Sequence, residues 1–210
     1  MKAEGSKNFL NTLGVTTGDS VMPLFPLGIW LYPTVVLPLQ IFEPRYLSMI
    51  SQRLKQGAGF GVVPIRDGSE VGNAPSIFPT GVSVDIVDWY QQSNGLLGIK
   101  VQGGRRFRVL DTMVNDDQLM WGQVAYLDDE EAEPLSERHN GLLQLLQELK
   151  NHPHAEALAL TEPNDVKALS YQLAQLLPFT AAKKMALLAA DDPETRLSII
   201  AQEVFDLANA

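Results

Sequence analysis

The chain contains no cysteine. This excludes a disulfide framework, a thiolate zinc site, an iron–sulfur cluster and a cysteine nucleophile. A reducing compartment, the cytoplasm, is the expected home. No apolar run approaches the ~20 residues needed to span a bilayer, and residues 1–21 lack the continuous apolar stretch of a signal peptide. They mix Gly, Ser, Thr and Asn with isolated apolar residues, and a flexible leader is expected there. Positive charge is also scarce: 16 Lys and Arg stand against 25 Asp and Glu, a formal net charge of −9. A duplex-binding protein needs a cationic face to release phosphate counterions, so no nucleic-acid partner is expected. The deficit is concentrated in residues 111–165, which hold thirteen acidic and two basic residues and read as a solvated surface.

Catalytic signatures are missing as well. Gly57-Ala58-Gly59-Phe60-Gly61 is glycine-rich, but a phosphate loop runs from strand into helix and ends in GK[ST]. Here the glycines follow a helical pattern and precede a strand, as at a helix stop with a tight turn. There is no G-x-S-x-G nucleophile elbow. His152-Pro153-His154 with Glu156 could be half a metal site, but no second cluster accompanies it, and an exposed inter-helix loop is expected. No cofactor, metal or catalytic residue is therefore assigned.

What is present divides by period. Leu24-Phe25-Pro26-Leu27 and Val35-Val36-Leu37-Pro38-Leu39 are apolar runs broken by proline, which cannot donate a ladder hydrogen bond; they read as edge or bulged strands. Val82, Val84 and Ile86 alternate with polar residues, as do Leu97, Ile99 and Val101, around a Ser93-Asn94-Gly95 turn. Phe107 and Val109 face one way, and Arg106 and Arg108 the other. Five or six short strands at this spacing suggest a small barrel or curled sheet. One helix interrupts them. Pro44 suits its first position, Phe42 and Leu47 have the spacing of a hydrophobic staple, and Tyr46, Leu47, Ile50 and Leu54 form the expected apolar stripe. Near Pro134 the period changes to 3.6, in Leu142, Leu145, Leu146 and Leu149, then in Val166, Leu169, Leu173 and Leu176. Thr180 and Asp192 are cap candidates for two further helices. The expected fold class is α+β: a leader over 1–21, a β-rich pseudo-barrel subdomain with one helix over 22–130, and a helical bundle over 131–210.

Two segments carry a family resemblance. Pro23-Leu24-Phe25-Pro26-Leu27, Tyr32-Pro33 and the string Leu37 to Tyr46, which includes Ile41-Phe42-Glu43-Pro44-Arg45-Tyr46, resemble the opening of the Lon protease N-terminal domain. The likeness is closest to its short stand-alone bacterial versions and extends to the Lon-like region of cereblon. Gly103-Gly104-Arg105-Arg106-Phe107-Arg108-Val109 is similar to the family's G-x-x-R-F-R-V strand, and Asp191 to Leu197 echoes the start of its last helix. The resemblance implies a non-catalytic module that recognises polypeptide substrates, because the ATPase and peptidase of Lon lie in later domains that these 210 residues end before reaching. The implied partner is unfolded or partly folded polypeptide; the alternative is a scaffold that docks one folded partner. Phe42, Glu43, Pro44, Arg45 and Tyr46 are expected to hold the helix against the sheet. Arg105, Arg106 and Arg108 are either a solvated strand face or part of a polypeptide-binding surface. Trp30, Tyr32, Trp89 and Trp121, where exposed, would be natural anchors for a partner chain.

Overall fold

The computed structural model describes residues 19–208. Seven strands form one connected sheet: β1 (Asp19–Leu27), β2 (Val36–Ile41), β3 (Phe60–Asp67), β4 (Ser76–Ile77), β5 (Thr80–Gln91), β6 (Leu97–Val114) and β7 (Met120–Tyr126). The pairing order is β1-β7-β6-β5-β3-β4. A parallel β1–β3 pairing, with Leu24 beside Gly61, joins five of these strands into a ring, and β2 pairs with β6 outside it. Of the leader expected over 1–21, residues 19–21 belong to β1 and the rest lie outside the described residues.

Phe107 explains how the ring closes. With Met22, Leu24, Val63, Met120 and Val124 it makes a small buried cluster. A methyl group at Gly61 would sit 2.7 Å from Leu24 and 2.8 Å from the Phe107 ring, and one at Gly81 would sit 2.7 Å from that ring. Glycine is needed at both positions because strands approach the aromatic side chain too closely for a Cβ. The strands also bury their other side: Phe25 follows Leu24, and Val62 precedes Val63, in a second and larger cluster. Burial on both faces explains why β1 reads as a continuous apolar run rather than an alternating one.

The larger cluster continues into the helices. These are α1 (Pro44–Gln56), α2 (Asn140–Lys150), the single turn α3 (Pro153–Glu156), α4 (Val166–Leu176), α5 (Ala181–Ala189) and α6 (Pro193–Ala208). Leu146, Leu169, Leu173, Leu187, Leu188, Leu197 and Ile200 share one cluster with Phe25, Tyr46, Ile99 and Val101. The C-terminal part is thus helical, and its helices share the sheet's core rather than packing as a separate bundle. Their caps follow the sequence. Asp165 accepts from the Ala168 N–H at 2.7 Å, Thr180 from that of Lys183 at 3.3 Å, and Asp192 from that of Thr195 at 2.7 Å.

The start of α1 is partly as expected. Pro44 occupies the first turn, and Gly57, at φ 57°, closes the helix in the left-handed conformation. The buried stripe is Tyr46, Met49 and Ile50, with Arg45 beside it. Leu47 and Leu54 are exposed, and Phe42 is 51% exposed, so the staple pair does not enter the core. The helix is instead held by Tyr46, stacked 4.0 Å from Phe25, and by Arg45. The Arg45 guanidinium pairs with Glu43 at 2.9 Å and donates to the carbonyls of Gln118 and Glu70. Removing either aromatic separates the two arrangements. Tyr46→Ala should cost about 3 kcal/mol or more, and Phe42→Ala less than about 1 kcal/mol, in urea unfolding. Equal losses would mean that Phe42 is buried in solution.

Candidate functional site

Arg106 and Arg108 do lie on the side of β6 opposite Phe107, but only Arg108 meets solvent. Arg106 is 4% exposed. Periodicity could not show this, because the cover comes from distant sequence: the strap after β7 and the end of α5. Arg106 donates to the carbonyls of Leu188 and Ala190, and its Nη2 lies 2.8 Å from Glu130 Oε1, off the line of a good hydrogen bond. Glu130 is a buried carboxylate shared by two guanidiniums. Arg196, fully buried at the start of α6, donates to both its oxygens, at 3.0 and 2.5 Å. Arg196 also bonds Ser170 Oγ at 2.9 Å and the Leu187 carbonyl at 2.8 Å, and stacks 4.1 Å over the Tyr171 ring. Tyr171 donates its hydroxyl to Glu130, and burial raises its pKa. Two buried cations around one buried anion are tolerated because main-chain carbonyls and the Ser170 hydroxyl accept most of the other N–H groups, and the exposed Asp191 carboxylate lies 3.5 Å from Arg106 Nη2.

Beside this network the sheet and helices leave a recess of about 240 Å³. Its walls are Thr34, the Gly103-Gly104 backbone, Arg105, residues 128–130 and Lys167. Gly103 packs under the Tyr32 carbonyl, where a methyl group would stand 2.4 Å from the oxygen. Thr34, next to it, holds φ 68°, an unusual conformation for a β-branched residue. Its N–H donates to the Gly103 carbonyl at 2.8 Å. Arg105 reaches the surface because β6 carries an extra residue opposite Ser83, whose hydroxyl bonds both the N–H and the carbonyl of Arg105. The Arg105 guanidinium then lies 4.5 Å over the Tyr126 ring. Lys167 pairs with Asp129 at 2.6 Å, and this hydrogen bond and charge hold the Asp129 carboxyl below the usual range. Opposed charges around bare backbone suit a short polar segment of chain. Among the described residues no group of three or more His, Cys, Asp and Glu could hold a metal ion.

The proposed aromatic anchors separate sharply. Trp30 is buried against Phe78, with ring centroids 5.1 Å apart, and its carbonyl accepts from Gln175. Tyr32 is fully buried, donates its hydroxyl to the Lys184 carbonyl at 3.0 Å and has a pKa raised by burial. Both fasten the β1–β2 connection to α4 and α5 and are unavailable to a partner. Trp121 is partly buried beneath the Arg53 guanidinium, 5.5 Å from its ring. Trp89 alone is open, at 63% exposure, with Val87 and Tyr90 exposed beside it on β5. Glu130, Tyr171 and Lys167 were not singled out by the sequence, where Glu130 is one acid in a run. His139, also given no role, is buried and sits 3.1 Å from Glu194.

Residues 21–204 match the family model described as the ATP-dependent protease La (LON) substrate-binding domain. The chain belongs to the Lon substrate-binding domain family. It is 27% identical over 193 residues to the Lon protease of Cytophaga hutchinsonii, covering 87% of this chain and 24% of that protein. It is 26% identical over 140 residues to that of Parabacteroides distasonis, covering 66% of this chain and 17% of that protein. The Lon-family chain thus spans a quarter or less of these relatives. The crystal structure of a Lon N-terminal domain protein from Xanthomonas campestris superposes with a TM-score of 0.70 at 30% identity, covering 87% of this chain and 98% of that one. The N-terminal domain of a Mycobacterium avium complex Lon protease has the same fold, with a TM-score of 0.60 at 16% identity over 87% of this chain and 97% of that one.

The Asp192 cap gives a pH test of the α6 start, the element that supplies Arg196. Hydrogen bonds from Thr195 lower the Asp192 pKa below its ordinary value of 3.8. A lowered folded-state pKa stabilises above the unfolded value and is lost as pH falls through the folded one. Asp192→Ala should therefore lower Tm at neutral pH, by roughly 1 kcal/mol of cap energy. The gap to the unsubstituted protein should narrow as pH falls below the ordinary 3.8 and through the lowered Asp192 pKa. A gap that stays constant with pH would show that the carboxylate does not cap the helix.

Proposed function

We propose that this Lon-family domain binds unfolded or partly folded polypeptide and performs no chemistry on it. The match to the substrate-binding family carries this reading, and the exposed Trp89 arm and polar recess supply surfaces of the right character. Trp89 is retained as an anchor, with Arg105 and Arg108 as exposed cations a client could meet. Trp30, Tyr32, Trp121 and Arg106 act through the fold. No described helix is long and apolar enough to cross a membrane, and we place the work of the domain in the cytoplasm. The change of period near Pro134 is read as the border between a β-rich and a helical subdomain.

Binding should be weak, because a disordered client loses chain entropy when it is held. Calorimetric titration with a permanently unfolded model protein should give a Kd on the order of micromolar, about −8 kcal/mol. A negative heat-capacity change is expected from apolar burial, and binding should weaken with salt but survive it. The same preparation should leave casein and ATP intact. No binding up to about millimolar client would instead favour a scaffold for one folded partner.

A further inference from the structure

We propose that the client docks on the outer edge of β5, residues 85–91, by adding an extended strand whose side chains are apolar and basic. The proposal rests on the polypeptide-binding reading and names its site and the chemistry of its partner.

The edge is open for a local reason. β3 pairs with β5 only as far as Phe60 opposite Val84. Before Phe60 the chain crosses over β5 at Gly59, where a Cβ would stand 2.0 Å from the Val84 carbonyl, and then turns away into Gly57 and α1. β5 continues to Gln91, paired along this stretch with β6 alone among the described residues. Seven residues of strand thus have one edge without a ladder, and an unpaired edge is a template for another chain. The outer edge of β2 is less suited, because Pro38 lacks the N–H that a ladder needs.

The side chains along the edge specify the occupant. Trp89 lies opposite Ile99 on β6, and such cross-strand neighbours share a face. Ile99 is fully buried, so Trp89 carries the apolar face of the sheet beyond the cover of the helices. A client side chain laid beside it would complete that face. Val87, at a break in register between Ile86 and Asp88, is exposed as well. The charge is of one sign. Residues 85–91 contain Asp85 and Asp88 and no Lys or Arg. Asp88 meets Lys100 at 3.3 Å, but both are about half exposed, and such pairs hold weakly. An acidic edge repels a second copy of itself and favours a strand bearing Lys or Arg.

The test uses the full chain and three nine-residue peptides: alternating Val and Lys, alternating Val and Glu, and the Val–Lys peptide with a central proline. Amide exchange followed by NMR should slow at residues 85–91 with the Val–Lys peptide. That peptide should bind about tenfold more tightly than its Glu counterpart at low salt, and the proline should abolish the protection. Trp89→Ala should weaken binding by about tenfold or more without changing Tm. Asp85→Asn with Asp88→Asn should erase the Lys-over-Glu preference while binding persists. An unfolded protein serves as the second probe. Binding of either probe with amide changes elsewhere, such as around Gly103 and Lys167, would overturn the edge site and leave polypeptide binding intact. No binding of peptides or unfolded protein would overturn both.

Discussion

A single carboxylate, Glu130, holds the parts of this molecule in register. It stands between Arg106 of the sheet and Arg196 of the last helix, and Tyr171 of α4 donates to it as well. Its own segment is the strap that leaves β7 and leads to the helices. Four separate pieces of chain therefore converge on one buried charge. A buried ion pair is not a strong source of net stability, because desolvation offsets most of the attraction. Its effect is directional. Any arrangement of helices on the sheet that moved Glu130 away would leave two buried guanidiniums without the one buried carboxylate they share, and such arrangements are strongly disfavoured.

This constraint bears on function through what it leaves outside. The helices are fixed over the part of the sheet that contains Ile99 and Val101, and the β5 arm with Trp89 projects past them. A packed support beneath an open edge is what the proposed client site requires, because such a site would be formed before a client arrived and only the client would lose freedom. The same geometry accounts for the recess beside Thr34 and Gly103, which is the gap left where strap, strand bulge and α4 meet.

Much of this order was legible in the sequence, wherever local chemistry decided it. The alternation in β5 and β6, the helix stop at Gly57 and the caps at Thr180 and Asp192 depend on neighbours a few residues away. The strings around Phe42 to Tyr46 and Gly103 to Val109 were enough to point to the family. Long-range cover was not legible. Arg106 looks like Arg108 in sequence, and only the strap and the α5 terminus distinguish them. Trp30 and Tyr32 look like free aromatics until Gln175 and Lys184, more than 140 residues away, are seen to bind them. Phe42 has the spacing of a staple, yet its partner Leu47 faces solvent because the helix is rotated to bury Arg45 and Met49.

The direct test of this account is the equilibrium stability of Glu130→Ala. Removing the carboxylate leaves Arg106 and Arg196 buried without their shared anion. Breaking a buried pair in this way costs about 3–5 kcal/mol, and urea unfolding should show a loss of that size. A loss below about 1 kcal/mol would place Glu130 among ordinary surface acids and contradict the claim that it sets the helices on the sheet.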